Sequence, residues 1–144
     1  MYIRSSHGYG HPMLNYLLSF FAACTLSVAS ADTITVCLDG GCDYSDIQLA
    51  IDAASNGDVI EISAGTYLPS ATIDTGGKAI TLSGTVDKAD TPTTIIDGQK
   101  IIQVFKCSNN EDEDTVFENL IITGGQADNG GGMYCYQSSP TLTN

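Results

Sequence analysis

Short apolar runs that end at glycine recur through most of the chain and constrain its fold more than any other feature. Val59-Ile60-Glu61-Ile62-Ser63 alternates in its second half and Ile80-Thr81-Leu82-Ser83 alternates throughout, which is the period-two signature of a half-buried strand. A compact unit of an apolar residue, a small polar one and glycine returns at Leu82-Ser83-Gly84, Ile96-Asp97-Gly98 and Ile122-Thr123-Gly124. Looser apolar echoes at Ile62, Leu82, Val104, Ile122 and Leu142 are separated by 20, 22, 18 and 20 residues. A near-constant period of about twenty residues is expected of a coiled chain in which each rung stacks on the last, so the predicted architecture is an all-β parallel β-helix. Inward Ile, Leu and Val would then stack about 4.8 Å apart, each worth roughly 1.5 to 3 kcal/mol when buried. An antiparallel sandwich also has short strands and frequent turns, but it favours two-residue hairpins between alternating runs. Asp97-Gly98 is the best hairpin candidate, and the doublets Ile95-Ile96 and Ile101-Ile102 beside it break the alternation.

One segment reads differently. Ile47, Ala50, Ile51 and Ala54 recur at i, i+3, i+4 and i+7 behind Ser45 and Gln48, which have capping-box spacing. Asn56-Gly57 supplies a stop, because glycine accepts the left-handed conformation past a helix end. The helix of about three turns is too short to be stable alone and must lie on an apolar surface.

The beginning of the chain carries targeting information. Arg4 precedes an apolar stretch from Leu14 through Val28, and Ala29-Ser30-Ala31 has small residues at the cleavage positions, so residues 1–31 read as a secretory signal peptide. The run is short for a membrane of about 30 Å and is interrupted by Cys24, Thr25 and Ser27. The expected location is secreted or at the cell surface, with no integral membrane segment after cleavage. Removing the leader takes away Arg4, His7 and His11 and leaves a net charge of −13, four Lys against 17 carboxylates. Nucleic acid is excluded as a partner for want of clustered cations. Without His there is no Ser-His-Asp or Cys-His arrangement and no imidazole-ligated zinc. Acidic polysaccharides meet a repelling surface unless a cation such as calcium bridges them.

Four cysteines remain beyond the leader, an even number that favours disulfides in an exported chain. Four cysteines allow three connectivities, and the sequence alone does not choose among them. Cys37 and Cys42 lie close across Leu38-Asp39-Gly40-Gly41, so a local bridge is the simplest pairing, with Cys107 to Cys135 as the second.

The run from Tyr44-Ser45-Asp46-Ile47-Gln48 through Asn56-Gly57-Asp58-Val59-Ile60 to Ala64-Gly65-Thr66-Tyr67 resembles the N-terminal cap and first rung of right-handed parallel β-helix proteins of the pectin lyase-like superfamily. Thr94-Ile95-Ile96-Asp97-Gly98, Phe117 through Gly125, and Gly130-Gly131-Gly132-Met133-Tyr134 resemble later rungs, so the likeness covers residues 44–144. It implies that Ile47, Ala50, Ile51 and Ala54 form a helical lid over the open end of the coil. It also implies that Pro140-Thr141-Leu142-Thr143-Asn144 starts another rung, as expected of an N-terminal fragment. The fold hosts lyases, esterases, glycosidases, adhesins and inert surface proteins, so it does not choose an activity.

No catalytic motif of that superfamily maps onto these residues. Asp97 before Gly98 reads as a turn residue that accepts backbone hydrogen bonds. Glu111-Asp112-Glu113-Asp114 is the densest charge run and is expected to form a solvated loop, with calcium as the one cofactor it admits. The glycines of Gly124-Gly125 and Gly130-Gly131-Gly132 lack the Lys of a phosphate-binding loop and are expected to permit a tight corner. Two function classes remain. One is an exported non-catalytic β-helix whose side offers stacked Thr, Ser, Asn and Tyr for contact with carbohydrate or a cell-surface protein. The other is the N-terminal part of a polysaccharide-active enzyme with catalytic coils beyond Asn144.

Overall fold

The computed structural model describes residues 30–144; the leader expected over 1–31 lies outside them except for its last two positions. A strand, β1 (Thr33–Val36), and a helix, α1 (Ile47–Ala53), precede three coils of three strands each. The first coil is β2 (Val59–Ile62), β3 (Gly65–Tyr67) and β4 (Ile73–Asp74). The second is β5 (Thr81–Gly84), β6 (Thr94–Asp97) and β7 (Phe105–Cys107), and the third is β8 (Val116–Glu118), β9 (Leu120–Thr123) and β10 (Met133–Cys135). β11 (Thr141–Thr143) then lies back on β8. All the strand pairings are parallel and build three sheets, β1-β2-β5-β8-β11, β3-β6-β9 and β4-β7-β10. The described residues therefore form a parallel β-solenoid of about four turns, with a single helix among them at the N-terminal end of the coil.

The twenty-residue period does not describe the coil. Register along the first sheet places Thr81, Val116 and Thr141 above Val59, so successive turns span 22, 35 and 25 residues. Of the apolar echoes, Ile62, Leu82 and Leu142 lie on the first sheet, Ile122 lies on β9, and Val104 directly precedes β7. The period failed because turns lengthen at their corners while the strands stay short. The true inward column of the first sheet is Ile34, Ile60, Leu82, Phe117 and Leu142. Tyr67, Ile96 and Ile122 stack on the second sheet, and Ile73, Phe105 and Met133 on the third. Phe105 and Phe117 meet edge to face across the core, ring centroids 4.9 Å apart.

Corners are pinned by polar side chains. Thr94 is fully buried, donates to the carbonyl of Ile62 at 3.0 Å and accepts from the Thr85 amide. Asn119 alone separates β8 from β9 and takes φ +56°, a left-handed bend that Asn tolerates better than most residues. At Gly125 and Gly131 the two backbones lie so close that a Cβ on either would strike the other, so these glycines make a tight corner as expected. The long second coil puts its extra residues partly in a loop over 85–93. Its neck is closed by a Val86–Pro92 antiparallel bridge, and amides of Ala89 and Thr91 donate to Asp87. These amides hold the Asp87 carboxyl below the usual carboxylate range.

The helix differs from the capping-box expectation. Asp46, not Ser45, is the N-cap, and its Oδ1 accepts from the Leu49 amide at 3.1 Å. The helix ends at the C-cap Ala54, ahead of Asn56-Gly57, where Lys78 Nζ donates to the carbonyls of Ile51, Asp52 and Ala54. The Gln48 side chain reaches from the helix to the coil, while its Nε2 also donates to Asp52 one turn on. Its Nε2 donates to the Asp74 carbonyl and its Oε1 accepts from the Asp74 amide, so one side chain supplies the partner that β4 lacks on its outer edge. Ile47, Ala50, Ile51 and Ala54 are all buried against the first coil.

Candidate binding face

Strand alternation sends every second side chain outward, and parallel register turns these side chains into files. On the five-stranded sheet one file is Thr33, Val59, Thr81, Val116 and Thr141, and its neighbour is Thr35, Glu61, Ser83, Glu118 and Thr143. Each of the ten side chains is exposed or half-buried. The face is thus an array of hydroxyls at strand spacing, about 4.8 Å, with two carboxylates two rungs apart. Ser83 Oγ donates to Glu118 Oε1 at 2.7 Å and orients that carboxylate along the file. At the edge, Asp43 accepts from the amide and hydroxyl of Thr35 at 2.9 and 2.6 Å, which hold its carboxyl below the usual range.

The sequence leads to an expectation of stacked Thr, Ser, Asn and Tyr on a side of the coil without naming residues; the two files hold Thr and Ser with Val and Glu in place of Asn and Tyr. The local signal for them is the hydroxyl-apolar-hydroxyl pattern that Thr33-Ile34-Thr35, Thr81-Leu82-Ser83 and Thr141-Leu142-Thr143 repeat on strands that stack in one sheet.

One residue of the acidic run departs from the solvated-loop expectation. Glu111 turns inward and is 3% exposed, while Asp112, Glu113 and Asp114 stay in solvent. Its Oε1 accepts from the Thr75 hydroxyl at 2.6 Å and the Gly77 amide at 3.0 Å, and its Oε2 accepts from the Asn109 amide and the Ser138 hydroxyl. Burial by itself raises the pKa of this carboxyl, but these hydrogen bonds outweigh it and hold the value at about 2. Glu111 is a pin joining three coils, and its oxygens are already occupied by donors. The run is therefore not gathered into one calcium cage. Among the described residues no group of three or more His, Cys, Asp or Glu side chains is placed to hold a metal ion.

Cys37 and Cys42 form the expected disulfide. Cys107 and Cys135 do not: they are in register on β7 and β10, one rung apart, and both remain thiols. Their side chains extend alongside each other from adjacent parallel strands, and the two thiols lie near enough to interact without a bond between the sulfurs. Burial pushes the Cys107 thiol up to about 12, whereas Cys135 is exposed. Asp97 is the turn residue expected, its Oδ1 accepting from the Gln99 amide at 2.8 Å. On the third sheet Asp74 and Lys106 are in register and form an ion pair at 2.8 Å, in which the Asp74 hydrogen bond and charge raise the Lys106 pKa.

No family model matches the chain, and neither a curated protein nor a solved structure matches it. No helix among the described residues is long and apolar enough to cross a membrane.

Proposed function

We propose that this chain is an exported, non-catalytic β-solenoid that binds neutral carbohydrate on the outer face of its five-stranded sheet. The observation that carries this reading is the pair of in-register files, in which hydroxyls and carboxylates repeat at strand spacing on one outer face. Sugar hydroxyls both donate and accept, so they pair with Thr and Ser hydroxyls and donate to Glu61 and Glu118. Val59 and Val116 offer apolar contact to the C–H faces of a sugar ring. The surplus of carboxylates argues for neutral rather than acidic glycans.

Export is supported by the Leu14–Val28 stretch together with the Cys37–Cys42 bridge, a bond characteristic of oxidising compartments. Membership of the pectin lyase-like superfamily, and with it a right-handed coil, is supported by the three-sheet coil and the helix laid over its first turn.

The test is calorimetric titration with soluble neutral β-glucan and, in parallel, with polygalacturonate. Binding to the neutral glycan is expected, and Thr81→Lys combined with Glu118→Lys should weaken it by about tenfold or more. Equal affinity in that variant, or preference for polygalacturonate, overturns the reading. Glycan cleavage in the same incubations would replace it with the polysaccharide-active one.

A further inference from the structure

Parallel solenoids expose three strand edges at each end, and at the N-terminal end two of them are covered. Tyr44 closes the edge of β1, donating to the Thr35 carbonyl and accepting from the Cys37 amide. Gln48 closes the edge of β4. The third edge belongs to β3, which heads the second sheet and has no partner strand on that side among the described residues. The Gly65 amide donates toward the next coil, to Thr93, and alternation along the strand turns the N–H and C=O of Thr66 the opposite way. Thr66 lines a groove of about 590 Å³ between α1 and the β3–β4 corner. Leu38, Leu49 and Leu68 line the same groove and are 54%, 56% and 58% exposed, although they come from three separate segments. Scattered exposed leucines need no explanation, but three converging on an open strand edge do.

Charge selects the occupant. Asp46 lines the groove, Asp39 directly follows the lining residue Leu38, and no Lys is among the lining residues. A second copy would bring the same surplus of carboxylates against this rim. We propose that the groove docks an extended partner segment with basic flanks and leucine-type side chains, which adds a strand to the β3 edge and seats its apolar side chains against Leu38, Leu49 and Leu68. Backbone pairing at Thr66 supplies register, the leucines supply buried area, and Asp39 and Asp46 favour the cationic flanks. This site lies away from the five-stranded face, and the proposal does not rest on carbohydrate binding there.

Fluorescence polarisation tests it with a labelled peptide that alternates leucine and threonine and carries lysines at both ends. The lysine-flanked peptide is expected to bind. A glutamate-flanked version should bind about tenfold more weakly, and a version N-methylated at alternate amides should bind no better. Leu49→Ser combined with Leu68→Ser changes exposed positions only, so the fold is retained, as far-UV circular dichroism will check, while affinity falls about tenfold or more. Ile121→Ser, at an exposed apolar position on the second sheet's outer face, should leave affinity unchanged. Equal binding of both flanking charges, no loss in the double variant, or no binding at all overturns the proposal. A concentration-dependent dimer abolished by Leu49→Ser would assign the groove to a second copy and overturn it as well.

Discussion

At the N-terminal end Ile60 and Ile73 are sealed beneath β1 and α1, whereas at the other end Leu142 is 55% exposed and Ile122 half-buried, although all four occupy inward positions of the coil. Phe117, Leu120, Ile122 and Leu142 border an open cavity of about 290 Å³ on the second side. The first side is closed by a helix whose own exits are tied to the coil through Gln48 and Lys78. Inward orientation therefore does not bury a side chain in this architecture. A layer on both sides does, and at one end that layer is a short helix rather than another rung.

The largest expected effect contrasts a sandwiched position with an open one. Phe105→Ala, in the middle coil, should cost about 3–5 kcal/mol in urea denaturation, against about 0.5 kcal/mol for Leu142→Ala. Equal losses would mean that coverage by neighbouring layers does not set the energetics.

Next comes the pin between coils. The Glu111 carboxyl sits at about 2 in the folded protein instead of the ordinary 4.5, so the native state binds fewer protons than the unfolded one between those values. Its contribution, of order 3 kcal/mol, is fully present above about pH 4.5 and is lost as pH falls toward 2. Glu111→Gln should flatten that part of a stability-against-pH curve, and an unchanged slope would remove the carboxylate from its assigned role.

The lid can be tested at its two ties. Gln48→Ala leaves the Asp74 amide and carbonyl without partners and should cost about 1–3 kcal/mol, with faster hydrogen exchange at Asp74. Lys78→Met removes a cation from the helix C-terminus and should cost about 1 kcal/mol or less. Finally, Cys135 should react with a thiol reagent in the native protein while Cys107 reacts only on unfolding, and simultaneous labelling would show that the third coil opens readily.

Much of the ladder was legible because strand alternation is local. Ile60, Ile62 and Leu82 announce themselves by period two, and Ile47, Ala50 and Ile51 by helical spacing. Register was not legible, since it depends on how many residues each corner absorbs, and corners here range from the single Asn119 to the loop over 85–93. The two misread side chains, Gln48 and Glu111, find their partners 26 and 36 residues away, in neighbouring coils. A charge run reads as solvated until the neighbouring coil supplies donors. Which residues make up the hydroxyl files was not legible for a related reason, because a file exists only once its rows are aligned.

The closed neck of the 85–93 loop separates contour length from height. Because Val86 and Pro92 already meet, a stretch spliced between Lys88 and Asp90 would hang outside the pillar without shifting any storey above or below. Such a molecule can vary what it displays to its surroundings while the masonry behind stays the same.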